Sequence, residues 1–174
     1  KVRSAAKDRG FYFKTQPESH GGAPANTLEL TMLREMLAAT NNPLSRYVFG
    51  PGPGILHSAE GLLKTDYMEP VLRGEKTGAF GFTEPDTAKR PTYGVLDQNQ
   101  ITIVGQKSYV TGGQSADFVS ALVNVENPAG EKLGTAMIVI DLNLPGVKVS
   151  EVFSSLDGSG HVSINFDSVV VPMA

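Results

Sequence analysis

The 174 residues carry a net charge of −3, with 40% hydrophobic and 19% charged residues. That balance fits a folded globular chain of one domain or two small ones and suggests no nucleic-acid surface. The absence of cysteine excludes disulfides, thiolate metal ligands and a cysteine nucleophile. No apolar run approaches the ~20 residues that a membrane helix needs, and no signal peptide precedes the first helical pattern.

Residues 2–9 read as the end of a helix, with Gly10 as its left-handed stop. Phe11-Tyr12-Phe13 is a short aromatic run expected to face a core, and residues 17–25 form a loop built on Gly21-Gly22 and Pro24. Asn26 and Glu29 have capping-box spacing, so a helix should start there. Leu30, Leu33, Met36 and Leu37 form its apolar stripe, and its methionines are expected in the core. Asn41-Asn42-Pro43 ends that helix, and residues 44–49 add a further turn or two. Gly50-Pro51-Gly52-Pro53-Gly54 is the least regular stretch, and a helix is expected over 55–73. His57 lies in that helix and reads as a packed or surface side chain. With His20 and His161 it shows no metal-ligand spacing, so no metal is expected.

From Thr77 the hydrophobic period changes to two, with strands near 78–83, 92–97, 100–104, 107–111, 118–125, 134–140, 147–152 and 161–171. Turns such as Asp97-Gln98-Asn99 and Leu144-Pro145-Gly146 separate them, a spacing that suggests a sandwich or barrel. Gly105 marks a bulge or tight corner. The expected fold class is therefore α+β: a helical segment over 1–75, then a mostly antiparallel β-sandwich or barrel over 76–174. At the start of that half, Gly78 to Phe82 alternates small residues with phenylalanine, and Thr83-Glu84-Pro85 stops the strand. Such an end, with a hydroxyl and free backbone N–H groups, suits a ligand edge; an ordinary edge strand reads the same way.

Phe80-x-x-Thr83-Glu84-Pro85, followed by Gly105-Gln106-Lys107-Ser108-Tyr109-Val110-Thr111, resembles the acyl-CoA dehydrogenase family. Ala5-Ala6-Lys7-Asp8-Arg9-Gly10, Pro17-Glu18-x-x-Gly21-Gly22, Lys64-x-x-Tyr67, Leu72-x-Gly74-Glu75 and Phe166-Asp167-x-Val169-x-Val171-Pro172 follow the family's order, so the resemblance spans essentially the whole chain. It implies that 1–75 is part of an N-terminal helical domain and 76–174 is the middle β-domain. The C-terminal helical domain, from which the family draws its catalytic carboxylate, would lie outside this chain. It implies FAD as cofactor, with Phe80, Phe82, Thr83, Tyr109, Val110 and Thr111 at the flavin. It implies an acyl-CoA substrate undergoing α,β-dehydrogenation, with hydride passing to flavin N5. Electron-transferring flavoprotein would be the acceptor, and the assembly a homodimer or homotetramer. The setting would be the bacterial cytoplasm or the mitochondrial matrix.

Three stretches depart from the family's pattern. It usually runs a helix through the position of 50–54. After Pro85 it has a small-residue loop with a serine, where this chain has Asp86-Thr87-Ala88-Lys89-Arg90-Pro91. Thr87 could replace the serine hydroxyl, and Lys89 or Arg90 could pair with a phosphate; Thr87 and Lys89 are the candidate substrate-binding residues. The loop 154–160 also lacks the basic residue often found there. Glu84 is read as structural rather than as a base. Two alternatives remain beside the dehydrogenase: an oxidase that passes electrons to oxygen, and a flavin-free binding or assembly module.

Overall fold

Proline and glycine set the boundaries of the helical half. In the computed structural model, which describes residues 1–155 and 160–173, the chain forms two compact units, Lys1–Glu75 and Lys76–Ala174. In the first, α1 (Val2–Asp8) is followed by Gly10 at φ 76°. Helix α2 (Thr27–Ala39) starts where Asn26 accepts a hydrogen bond from the Glu29 N–H at 2.9 Å. The Glu29 carboxylate turns away to Lys14 at 2.8 Å, so only half of the capping box forms. The helix expected over 55–73 is broken. A 3₁₀ helix covers Gly54–Ser58, and after an extended step come α3 (Gly61–Leu63), a π-helical turn (Lys64–Met68) and α4 (Glu69–Arg73). Pro70 gives the reason for the π turn. It has no N–H for the Asp66 carbonyl and its ring crowds that oxygen, so the backbone widens one turn earlier.

Tyr12, Gln16, Leu56, Met68, Val71 and Leu72 are buried in this unit. Gln16 Nε2 donates to the carbonyls of Pro51 (3.1 Å) and Leu72 (2.8 Å), and the Gly50 N–H donates to Tyr12 at 2.8 Å. The Gly-Pro stretch is thus pinned to residues 12–16 instead of forming a helix. A Cβ on Gly50 would lie 2.6 Å from the Tyr12 ring, which is why a larger residue cannot replace it without movement. The methionines of α2 are not core: Met32 and Met36 are exposed, and α2 buries no residue fully. Leu30, Leu33 and Leu37 share the half-buried face. Met36 falls about a quarter-turn off that stripe at 3.6 residues per turn, so its inclusion in the stripe was the error.

The second unit is one curled, mixed sheet of eight strands. The strands are β1 (Gly78–Gly81), β2 (Tyr93–Asp97), β3 (Gln100–Thr111), β4 (Phe118–Glu126), β5 (Lys132–Asp141), β6 (Val147–Val149), β7 (Phe153–Ser154) and β8 (Gly160–Pro172). The fold class is α+β, as the change of period indicated. Most strand pairs are antiparallel; β1 and β2 pair parallel with β4. They do so end to end along one edge of it, β1 against Phe118–Ala121 and β2 against Asn124–Glu126. The side chains of Ile103, Val119, Val123, Ile140, Val162 and Ile164 have no exposed surface and form the middle of the core.

The two strands expected at 100–104 and 107–111 are one, β3, paired with β8 along its length. Its register shifts twice. Between Ile103 and Gly105 the extra residue belongs to β8, where Ser168 has φ 53°. Gly105, at φ 141°, serves a close approach: a Cβ there would lie 2.6 Å from the Thr92 Cα. Between Lys107 and Val110 the extra residue is in β3 itself.

Candidate functional site

That second bulge builds a recess. Phe80, Phe82 and Thr83 from the end of β1, with Ser108, Tyr109 and Thr111 from the end of β3, line a cavity of about 380 Å³. Alternation along β1 sends Ala79 and Gly81 inward and leaves Phe80 and Phe82 52% and 57% exposed. Their rings are stacked, 6.0 Å apart and 13° from parallel. The Ser108 N–H donates to the Thr83 carbonyl at 2.8 Å and ties the two strand ends together. Tyr109 has φ 58°, a left-handed conformation that costs a non-glycine residue about 1–2 kcal/mol. This turns it out of the ladder, 63% exposed, at the edge of the recess. Left-handed residues other than glycine gather at functional sites because their cost needs a compensating role.

Behind the wall lies a buried ion pair. Lys107, 1% exposed, donates from Nζ to the Glu84 carboxylate at 2.6 Å and to the Phe82 carbonyl at 3.3 Å. The same Glu84 oxygen accepts the Thr92 N–H at 2.9 Å. Burial opposes ionisation of Glu84, but the hydrogen bonds from Lys107 and Thr92 and the ammonium charge outweigh it. The carboxyl is held below its ordinary range. Glu84 therefore stays ionised and anchored, which suits a structural role and not a base.

Five of the six residues expected at the flavin meet at this recess: Phe80, Phe82, Thr83, Tyr109 and Thr111. Val110 does not. Its side chain is 1% exposed and packs in the sheet core, because the residue after the bulge points inward. Thr87 and Lys89 are exposed and do not line the recess. Arg90 is committed elsewhere, bonded to Glu126 and with its guanidinium 3.6 Å above the Tyr93 ring. The departure noted in the loop 154–160 falls largely on 156–159, outside the described residues. Ser108, inside the quoted motif, was passed over. So was His161, whose Nδ1 lies 3.0 Å from Thr111 Oγ1. Strand register alone brings that pair together, and no local spacing announces it. In the first unit His20 and His57 also meet, ring centroids 5.3 Å apart, although the sequence separates them widely. Among the described residues no group of three metal-binding side chains occurs, and no helix is long and apolar enough to cross a membrane.

The donor set fits a flat heteroaromatic ring. Two exposed phenylalanines and an outward tyrosine offer apolar and π surface, and the hydroxyls of Thr83 and Thr111 stand at their margin to meet ring nitrogens or carbonyls, whereas buried Ser108 has its hydroxyl 3.2 Å from that of Ser163. None of the lining residues is a carboxylate.

No protein-family model matches the chain. It is 29% identical over 116 residues to the short-chain-specific acyl-CoA dehydrogenase of Clostridium acetobutylicum, covering 63% of this chain and 30% of that protein. A probable acyl-CoA dehydrogenase from Mycobacterium abscessus superposes with a TM-score of 0.76 at 27% identity, over 98% of this chain and 48% of that one. A glutaryl-CoA dehydrogenase from Mycobacterium smegmatis, solved in complex with FADH2, matches in fold with a TM-score of 0.71 at 21% identity, over 98% and 46%. The chain thus spans less than half the length of these relatives. In sequence and in fold it resembles the acyl-CoA dehydrogenases over most of its own length.

Proposed function

We propose that this chain is the flavin-facing part of an FAD-dependent acyl-CoA dehydrogenase-like oxidoreductase that removes hydrogen across the α,β bond of an acyl-CoA thioester. The observation that carries this reading is the recess: Phe80, Phe82 and a left-handed Tyr109 beside the hydroxyls of Thr83 and Thr111. A bound flavin would supply the hydride acceptor. The hydroxyls of Thr83 and Thr111 would hold its heteroatom edge, where donors matter most because charge builds up there on reduction. The aromatic side chains would exclude water from its face. The α-proton would go to a carboxylate outside the recess, since no lining residue is acidic and Glu84 is held by Lys107.

We place residues 1–75 in a helical domain and 76–174 in the middle β-domain of such an enzyme. Electron-transferring flavoprotein is its proposed acceptor and a homodimer or homotetramer its proposed assembly. The test is to purify the complete protein to which these residues belong and record its visible spectrum, then add acyl-CoA thioesters anaerobically. A yellow protein bleached by an acyl-CoA supports the reading, and reoxidation by oxygen alone would make it an oxidase. A protein that stays colourless with added FAD would refute it. That outcome would favour the flavin-free module, a reading that the loop 86–91 keeps open: Arg90, though half exposed, is bound to Glu126, and neither it nor the exposed Lys89 lines the recess.

A further inference from the structure

The recess has a second row behind Thr111. His161, near the start of β8, stands across the ladder from Thr111, and the Thr111 hydroxyl and His161 Nδ1 are 3.0 Å apart. On its other side His161 pairs in register with Phe153 of β7. The Phe153 ring lies 5.9 Å from the imidazole, tilted by 35°, and meets Tyr109 edge-on at 5.5 Å. The imidazole is therefore fixed between a hydroxyl and an aromatic ring by two strand registers. Turning it away from Thr111 would also disturb its contact with Phe153.

A threonine hydroxyl has one hydrogen and two lone pairs. If Nδ1 accepted that hydrogen, Thr111 could offer the recess only a lone pair. If Nδ1 carries a proton and donates it, the hydroxyl hydrogen is free to point into the recess, and the second hydrogen bond is strengthened by the first. We propose that His161 is a positioning residue that donates from Nδ1 to Thr111 and so makes the Thr111 hydroxyl a donor toward the bound ring. The proposal rests on the reading of Thr111 as a flavin-edge residue. It adds a residue that touches no cofactor and acts through another.

The test uses the full chain with FAD and reads the FAD dissociation constant, the visible flavin spectrum and the flavin midpoint potential. His161→Phe keeps a ring against Phe153 but has no nitrogen. It should weaken FAD binding by roughly two- to twelvefold, the value of about 0.5–1.5 kcal/mol for one neutral hydrogen bond. It should also shift the spectrum and lower the potential in the same sense as Thr111→Val. In a Thr111→Val background the same change should have less than about a twofold effect. His161→Asn, whose amide can donate from near the Nδ1 position, should restore most of the loss. If His161→Phe does not fold, His161→Ala gives the same comparison without new bulk.

An effect of equal size in both backgrounds would overturn the proposal, as would an unchanged spectrum and affinity in His161→Phe while Thr111→Val alters both. These outcomes leave the flavin reading standing. If the wild-type chain takes up no FAD, or Thr111→Val changes none of the three readouts, the flavin reading of this edge fails and the proposal falls with it.

Discussion

At the scale of single residues, the proposed flavin site would depend on hydroxyls whose partners change charge. One hydrogen bond to a group gaining charge is worth about 1.5–3 kcal/mol. Thr111→Val in the complete protein should therefore slow flavin reduction by an acyl-CoA roughly ten- to a hundredfold, as read by stopped-flow bleaching. An unchanged rate would remove Thr111 from the chemistry. Tyr109 carries a different expectation. Its left-handed backbone is disfavoured by about 1–2 kcal/mol and its side chain is largely solvent-exposed. Tyr109→Gly should thus keep thermal stability within about 1 kcal/mol of wild type while weakening FAD binding. The sequence made Tyr109 legible as an aromatic candidate, because ring stacking depends on residue type. Its backbone was not legible, since nothing about a tyrosine signals a positive φ. The inward side chain of Val110 was not legible for the same reason: one extra residue in a strand shifts which face the following side chains take.

At the scale of elements, the Glu84–Lys107 pair joins the ends of the loop between β1 and β2 to β3. Removing one partner leaves a buried charge, at a cost of about 3–5 kcal/mol. Glu84→Ala should fall near the lower end, because Glu84 keeps 22% of its side chain exposed. Urea unfolding should recover part of that loss in the Glu84→Ala/Lys107→Met double variant. The pH dependence has a definite sign. The folded-state value of Glu84 lies below its ordinary 4.5, so its contribution is fully present above that pH and is lost as pH falls through the lowered value. The stability gap between wild type and Glu84→Gln should therefore be widest near neutrality and narrow below about pH 4.5. A gap that widened on acidification would contradict the ion pair. The strands were readable from their two-residue period, since each buries one face. The parallel pairing of β1 and β2 with β4 was not, because period reports which face is buried and not which neighbour is paired. In the helical half, Asn26 announced its helix by local chemistry, whereas the π turn at Lys64–Met68 arises from a proline downstream.

For the whole molecule, the recess offers position and hydrogen bonds, and among the described residues none that lines it is a carboxylate. Residues 1–174 alone, given FAD, an artificial electron acceptor and a range of acyl-CoA thioesters, should show no substrate-dependent acceptor reduction. General-base catalysis typically contributes 10²–10⁴ in rate, and Glu84, behind the recess wall, is already bonded to Lys107. Turnover near that of a complete acyl-CoA dehydrogenase would show that a base lies within this chain, with Glu84 the first to examine. Leu28, Met32 and Met36 on α2, Phe80 on β1 and Phe82 just after it are largely exposed in this chain. The isolated 174 residues should accordingly self-associate as concentration rises, which light scattering would detect.

The end-to-end placement of β1 and β2 has a consequence for how such a chain can diverge. Gly81 pairs with Ala121 and Tyr93 with Asn124, so the chain leaves the β4 edge and rejoins it only three register steps further on. At about 3.3 Å per step that is roughly 10 Å, a span that both short and long connections can bridge. Doubling the length of a flexible connection adds only about 0.6 kcal/mol of closure entropy. Insertions and deletions between Pro85 and Pro91 can therefore accumulate over generations without altering a single strand register. The sheet acts as a fixed frame, and the part most open to evolutionary change is the segment displayed at that gap.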